Sequence, residues 1–247
     1  MSEITEIQKL ETTLGNSAVL IIGYPGGGLV GTMSVSYFIE SLKMNHLGEF
    51  EHPDLPPIVF IENGQIHGAV RLYKKGNMYA IRSDAPLDGN VTKELADFIV
   101  KFCSTNKIGK IIILSGLEVM DKNLKERKTY GLVTLPSLEK LLHEENLPRF
   151  LTGVIVGSDA VMIDVLKKAR IPMIMLYTEC NFFFPDPTSA IIAINTLSKI
   201  LKVKIDTTKL QKRIGSLRLE KRQLMQETIK QFNQEEGLPM TSPRIYG

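Results

Sequence analysis

The chain has 247 residues, 43% hydrophobic and 23% charged, with a mean hydropathy of +0.01, which excludes a fibre, a polar disordered tail and a coil-only protein. Thirty Lys and Arg against 27 Asp and Glu leave a net charge of only +3, too little to mark nucleic acid or an anionic membrane as a partner. No apolar run approaches the ~20 residues that cross a bilayer, the nearest being residues 172–176 and 191–194, so no membrane span is expected.

In chain order, residues 18–22 predict a buried strand, followed by a glycine-rich turn and an amphipathic helix over residues 29–42. Residues 57–61 form a second strand candidate. Segments 69–73 and 78–82 flank Lys74-Lys75-Gly76-Asn77, which suits a hairpin turn. Residues 91–102 place Leu95, Phe98, Ile99 and Phe102 at helical spacing, and 110–114 is a fully apolar strand. Residues 136–143 read as helix, 153–156 as extended, 159–169 as helix, 172–177 as strand and 186–201 as helix. Strands this apolar are buried on both faces. The expected fold is therefore α/β, a three-layer sandwich with helices on either side of a mostly parallel sheet, filling a core domain over residues 1–205.

Composition changes after Val203. Residues 206–236 are rich in Lys, Arg, Glu and Gln, with Leu210, Ile214, Leu217, Leu224 and Phe232 at helical or heptad-like intervals, capped by Thr207 or Thr208 and stopped by Gly237 and Pro239. One long helix is expected. Its apolar stripe is narrow, and Lys221 and Thr228 fall where a coiled-coil seam wants apolar groups, so docking on its own domain and pairing with a second subunit both stay open. Residues 237–247, with two prolines and no periodicity, predict an extended, flexible tail. The two cysteines, Cys103 and Cys180, are far apart and read as buried free thiols, which suits a reducing cytoplasm. The acidic start of the chain has no signal-peptide layout.

Three places could carry function. In Gly23-Tyr24-Pro25-Gly26-Gly27-Gly28-Leu29-Val30-Gly31-Thr32, the residues Gly26, Gly28 and Gly31 fit GxGxxG between a strand and a helix, where backbone N–H groups could hold an anion. The alternative is a tight turn that lets helix and strand pack closely; Thr32 stands where a phosphate-binding loop needs lysine, and no acidic residue follows at dinucleotide-site spacing. An enzyme of the phosphorylase or hydrolase kind, binding a nucleoside or phosphate here, is the alternative function. Polar residues at predicted strand ends, including Arg82-Ser83-Asp84, Ser115, Asp159 and Glu179, form the second place. His46, His52, His67 and His143 are scattered, so no nucleophile pairs with a base; Asp159 reads as a helix cap and Ser83 or Ser115 as turn residues. No catalytic residue, metal-ligand set or cofactor is expected.

The third place is the ending Ile245-Tyr246-Gly247. A hydrophobic residue, then tyrosine, then a residue bearing the terminal carboxylate is similar to the ending that proteasome activators insert between α subunits of the core particle; it offers an apolar anchor, a hydroxyl-bearing ring and an anion. Ten extended residues reach at most about 33–36 Å, enough to leave the folded body.

Taken together, the glycine turn over residues 23–31, the Asp186-Pro187-Thr188-Ser189-Ala190 segment and this ending make the chain resemble, over nearly its whole length, the archaeal relatives of the proteasome-assembly chaperone 2 family. The PbaB-type branch of activators is the nearest in its ending; an assembly-chaperone branch of PbaA type also exists. The resemblance implies a phosphorylase-like core used as a protein-binding scaffold without chemistry, with Ile245, Tyr246 and Gly247 as the docking tail and the α subunits of the proteasome core particle as partner. It implies no nucleic-acid or membrane partner. One tail offers roughly 1.5–3 kcal/mol for each buried side chain and about as much for the carboxylate, less several kcal/mol for ordering. Useful affinity then needs several tethered tails, so a homo-oligomer is expected, with a tetramer as one option and the 206–236 helix as the contact.

Overall fold

Alternate residues of the first strand, β1 (Ala18–Gly23), decide the layering: Leu20 and Ile22 pack into one hydrophobic cluster, Val19 and Ile21 into another, and all four are buried. A strand with period two and both faces covered needs a layer on each side. The structure is a computed structural model that describes residues 18–62, 64–119, 126–181, 183–212, 214–236 and 244–245.

After β1 come helix α1 (Val30–Leu42), strand β2 (Asn45–Phe50), a hairpin of β3 (Phe60–Glu62) and β4 (Gln65–His67), and a second hairpin of β5 (Val70–Lys75) and β6 (Met78–Ser83). Helix α2 (Gly89–Asn106) leads to β7 (Ile108–Glu118) and β8 (Thr129–Val133). Helix α3 (Glu139–Glu144), strand β9 (Gly153–Val154), helix α4 (Gly157–Lys168), strand β10 (Met173–Cys180) and helix α5 (Pro187–Leu201) follow. Seven strands form one sheet in the order β2-β5-β6-β1-β7-β10-β8. The central run β6-β1-β7-β10 is parallel, whereas β2-β5-β6 and β10-β8 are antiparallel; all strands but β5 and β8 point the same way. Val35, Phe38 and Ile39 of α1 and Leu197 and Ile200 of α5 cover one face, and Leu95 and Ile99 of α2 with Met162 and Leu166 of α4 cover the other. This is the expected three-layer α/β sandwich. Cys103 and Cys180 are both buried free thiols, and burial pushes Cys103 up to about 12. No described helix is long and apolar enough to cross a membrane.

The hairpin over Gly76 and Asn77 closes as expected, with Lys75 opposite Met78 and Gly76 at φ +59°, the left-handed value a two-residue turn requires. The 57–61 segment differs from expectation. Pro56 and Pro57 lack backbone donors, and the Ile58 N–H turns back to the Pro56 carbonyl at 2.7 Å. Only Phe60–Glu62 is strand, in a separate two-stranded sheet with β4. Strands β2 and β8 carry no clean alternation in sequence; both lie at sheet edges, and the outer side of β8 is met at Gly131 by the backbone of residues 148–150.

In place of one long helix, the structure has α6 (Thr208–Lys212), α7 (Ile214–Glu220) and α8 (Arg222–Glu236), and i to i−4 bonds at 3.0 Å on either side of Lys221 keep α7 and α8 nearly continuous. They lie on their own domain: Leu210 packs with Tyr37, Ile191 and Ile194, and Met225 with Leu29, Met33 and Ala190. Lys221 and Thr228, out of place in a coiled-coil seam, face that domain. Thr228 is buried, its hydroxyl donating to the Leu224 carbonyl at 2.8 Å, and Lys221 Nζ reaches Asp84 Oδ1 at 3.5 Å.

Asp84 belongs to a buried charge cluster. The fully enclosed Arg71 side chain donates to Asp84 and pairs with Glu62 at 2.8 Å, while Arg82 contacts Asp84 at 2.8 Å and Glu62 at 2.9 Å. Removing one partner strands a guanidinium in the interior, which costs about 3–5 kcal/mol. Asp84→Ala should lose that much in urea unfolding, whereas Lys140→Ala, at the exposed Lys140–Glu144 pair, should change stability by under about 1 kcal/mol.

Candidate functional site

In an open α/β sheet, ligands bind beyond the carboxyl ends of the strands where the strand order reverses. Here that point lies between β1 and β7: the chain builds β2, β5 and β6 on one side of β1, then β7 and β10 on the other. Four polar side chains from distant segments meet there. Tyr24 Oη donates to Asp159 Oδ1 at 2.7 Å, Ser115 Oγ donates to Asp159 Oδ2 at 2.8 Å, and the Tyr177 hydroxyl faces the same carboxylate. All four are buried. Burial pushes Asp159 above its ordinary carboxylate value, against the pull of the three hydroxyls, and pushes Tyr24 and Tyr177 well above theirs, with the Asp159 charge adding to the effect.

Sequence reasoning placed these residues differently. Asp159 does not cap its helix: the cap position is Val156, with no side-chain bond, and Asp159 sits inside the first turn of α4 and points inward. Ser115 lies within β7, because that strand runs eleven residues. The bonds join positions 135 and 44 residues apart, so no local motif announces them. Other strand-end residues separate. Ser83 makes the expected turn with Ala85, Arg82 and Asp84 join the Arg71 cluster, and Glu179 accepts from the Lys128 N–H at 2.8 Å and Tyr130 Oη at 3.1 Å. The histidines lie elsewhere, His46 on β2, His67 on β4, His143 on α3 and His52 in a loop beside Glu94. Each oxygen of this carboxylate accepts from a hydroxyl, so Asp159 acts as a clamp that joins the ends of β1 and β7 to α4.

Close packing accounts for most of the glycine turn. A Cβ on Gly31 would lie 2.4 Å from the Leu114 carbonyl oxygen, and one on Gly116 2.0 Å from that of Gly27. Gly28 adopts φ +58°, and its Cβ position falls 2.8 Å from the Asn181 carbonyl oxygen. Gly28 and Gly31 are buried, and α8 covers the neighbouring Leu29 and Met33 with Met225. Gly26 is half-buried, and a Cβ there would make only ordinary contact with Ser115 Oγ at 3.8 Å.

The second motif touches the first. The Asp186 N–H donates to the Gly28 carbonyl at 2.9 Å, while the Asp186 carboxylate caps α5 by accepting from the Ser189 N–H at 3.2 Å. It also accepts from the Asn181 N–H at 3.0 Å and Arg127 Nη2 at 3.1 Å. The two segments that carry the family resemblance are thus one structural unit. The PAC2 family profile matches residues 20–225, which include both. The chain belongs to the PAC2 family.

Relatives of this PAC2 protein include an uncharacterized protein of Methanocaldococcus jannaschii, 29% identical over 244 residues, 94% of this chain and 89% of that one. Among solved structures it is similar to Pyrococcus furiosus PbaA, an archaeal homolog of proteasome-assembly chaperone, with a TM-score of 0.82, 23% identity and coverage of 87% of this chain and 94% of that one. It is also similar to Pyrococcus furiosus PbaB, an archaeal proteasome activator, with a TM-score of 0.70, 22% identity and coverage of 84% and 93%. These likenesses establish the shared fold.

Of the expected tail, Arg244 and Ile245 pair antiparallel with β9, Arg244 opposite Val154 and Ile245 opposite Gly153, as strand β11 (Arg244–Ile245). Tyr246 and Gly247 lie outside the described residues.

The Asp159 clamp makes a pH-dependent prediction. A carboxyl whose folded value is raised is most stabilising while protonated, and its contribution erodes as pH rises from the ordinary carboxylate range through the raised value. Asp159→Asn keeps an acceptor without the buried charge. Its melting temperature should match wild type in acid and exceed it by about 2–4 °C per kcal/mol gained at neutral pH, so the difference should widen with pH in parallel calorimetric scans.

Proposed function

We propose that this PAC2 protein is a proteasome-associated chaperone or ATP-independent activator that docks its C-terminal tails on the α ring of the core particle, with no chemistry of its own. The observation that carries the reading is the near-full-length likeness to PbaA and PbaB, an assembly-chaperone homolog and a proteasome activator, within a shared family. The switch point supports it, since Tyr24, Ser115, Asp159 and Tyr177 are buried together where this fold would hold a small ligand.

In this reading Ile245 and Tyr246 enter a pocket between α subunits and the Gly247 carboxylate pairs with a cation there. The two-residue ladder on β9 holds the tail at the body until it does so. Few backbone bonds are lost on release, each worth about 0.5–1.5 kcal/mol net. A single tail binds weakly, so the working form is a homo-oligomer, and the 206–236 segment, docked inward through Leu210 and Met225, presents Leu219 outward for contact between copies.

Pull-down of core particle with the full-length protein, beside a chain lacking residues 245–247 and the Tyr246→Ala variant, tests the mechanism. Both changes should lower retained core particle and stimulated peptidase activity by at least about tenfold, the loss of roughly one buried side chain per tail. Equal retention by all three would overturn tail docking.

A further inference from the structure

We infer that His46, Glu49 and His67 form a binding site for a zinc-class divalent cation, with an open fourth position. In a regular strand, residues three apart point to opposite faces. In β2 the pairing with β5 shifts between His46 and Gly48, so Leu47 is a bulge and His46 and Glu49 lie on one face, opposite Tyr73 and Arg71 respectively. The hairpin strand β4 brings His67 to the same place, and the ligand atoms of all three residues lie within 4.8 Å of one another.

The carboxylate is already oriented. The Gly68 N–H donates to Glu49 Oε2 at 2.6 Å, which leaves Oε1 toward the two imidazoles, at 3.5 Å from His46 Nε2 and 3.2 Å from His67 Nδ1. Two ligand atoms each about 2.0–2.1 Å from a tetrahedral Zn²⁺ stand about 3.3 Å apart, so both spacings fit a shared ion. The rings meet edge to face with centroids 4.9 Å apart. Arg71, opposite Glu49 in the ladder, is engaged by Asp84 and Glu62. Two imidazoles and one carboxylate are a borderline donor set that suits Zn²⁺ or Co²⁺ over Mg²⁺ or Ca²⁺.

The site would also serve the fold around it. The β3–β4 hairpin is a sheet of its own, tied to the rest of the molecule by Glu62 to Arg71 and Arg82, by His67 and Gly68 to Glu49, and by Phe60, which packs on the core beneath Arg71. A bound ion replaces the His67–Glu49 contact with coordination bonds and fixes the hairpin, with its exposed Ile61 and Ile66 pair, against β2.

Chelator-stripped full-length protein titrated with Zn²⁺ at neutral pH should take up one equivalent per chain at micromolar concentration, with a rise in melting temperature of a few degrees. Co²⁺ in its place should give the visible absorption of a four-coordinate site. His46→Ala, at a partly exposed position, and His67→Ala should each weaken uptake by at least about tenfold, comparable with the loss of a supporting residue in known sites. His143→Ala, a histidine outside the cluster, should not. Absence of stoichiometric micromolar uptake by the wild-type protein, or uptake unchanged in a folded His46→Ala variant, overturns the site.

Discussion

Backbone contact between Asp186 and Gly28 is the constraint on which the architecture turns. One backbone hydrogen bond joins the turn that follows β1 to the start of α5, and the same aspartate caps that helix and accepts from Asn181 and Arg127. Because Gly28 sits at φ +58° with its Cα against the Asn181 carbonyl, a side chain there would separate the two segments. Gly31 and Gly116 extend the same logic, since each lets a helix or turn rest directly on backbone of the central sheet. The helices α1 and α5 can then share one face of the sheet, and α8 can close over Leu29 and Met33.

At the carboxyl ends of β1 and β7 the polar side chains are themselves buried. Where an enzyme on this scaffold would place a substrate, this chain places Tyr24 and Ser115 bonded to Asp159, with the buried Tyr177 ring beside them. Buried polar groups bonded to each other hold strand ends in register, and a carboxylate kept from water is a cost that the surrounding hydroxyls offset.

Those surfaces lie at the periphery. The edge strand β2 with its bulge, the β3–β4 hairpin with exposed Ile61 and Ile66, the outward Leu219 and the β9–β11 ladder all sit away from the clamp. The Arg71–Asp84 cluster connects several of them, because Glu62 of the hairpin and Lys221 of the C-terminal helices both reach it.

Layering was legible in the residues themselves. Runs such as Ile111–Leu114 are apolar at every position and must be covered on both sides, and the Gly76-Asn77 turn and the Asp186-Pro187 helix start depend on conformational preferences local to a few residues. The reach of the C-terminal helices was half legible: Lys221 and Thr228 argued against a seam between copies, but only packing shows that they face Asp84 and the domain's own helices. Ser115 and Asp159 were among the polar residues expected at strand ends, but their bonds with each other and with Tyr24, and the His46–Glu49–His67 cluster, were not legible. Each brings together side chains from segments distant in sequence, and the second also depends on a one-residue bulge at Leu47 that puts His46 and Glu49 on one face of β2. Periodicity is a local property written along the chain, whereas convergence of distant polar groups exists only once the sheet order and its register are set.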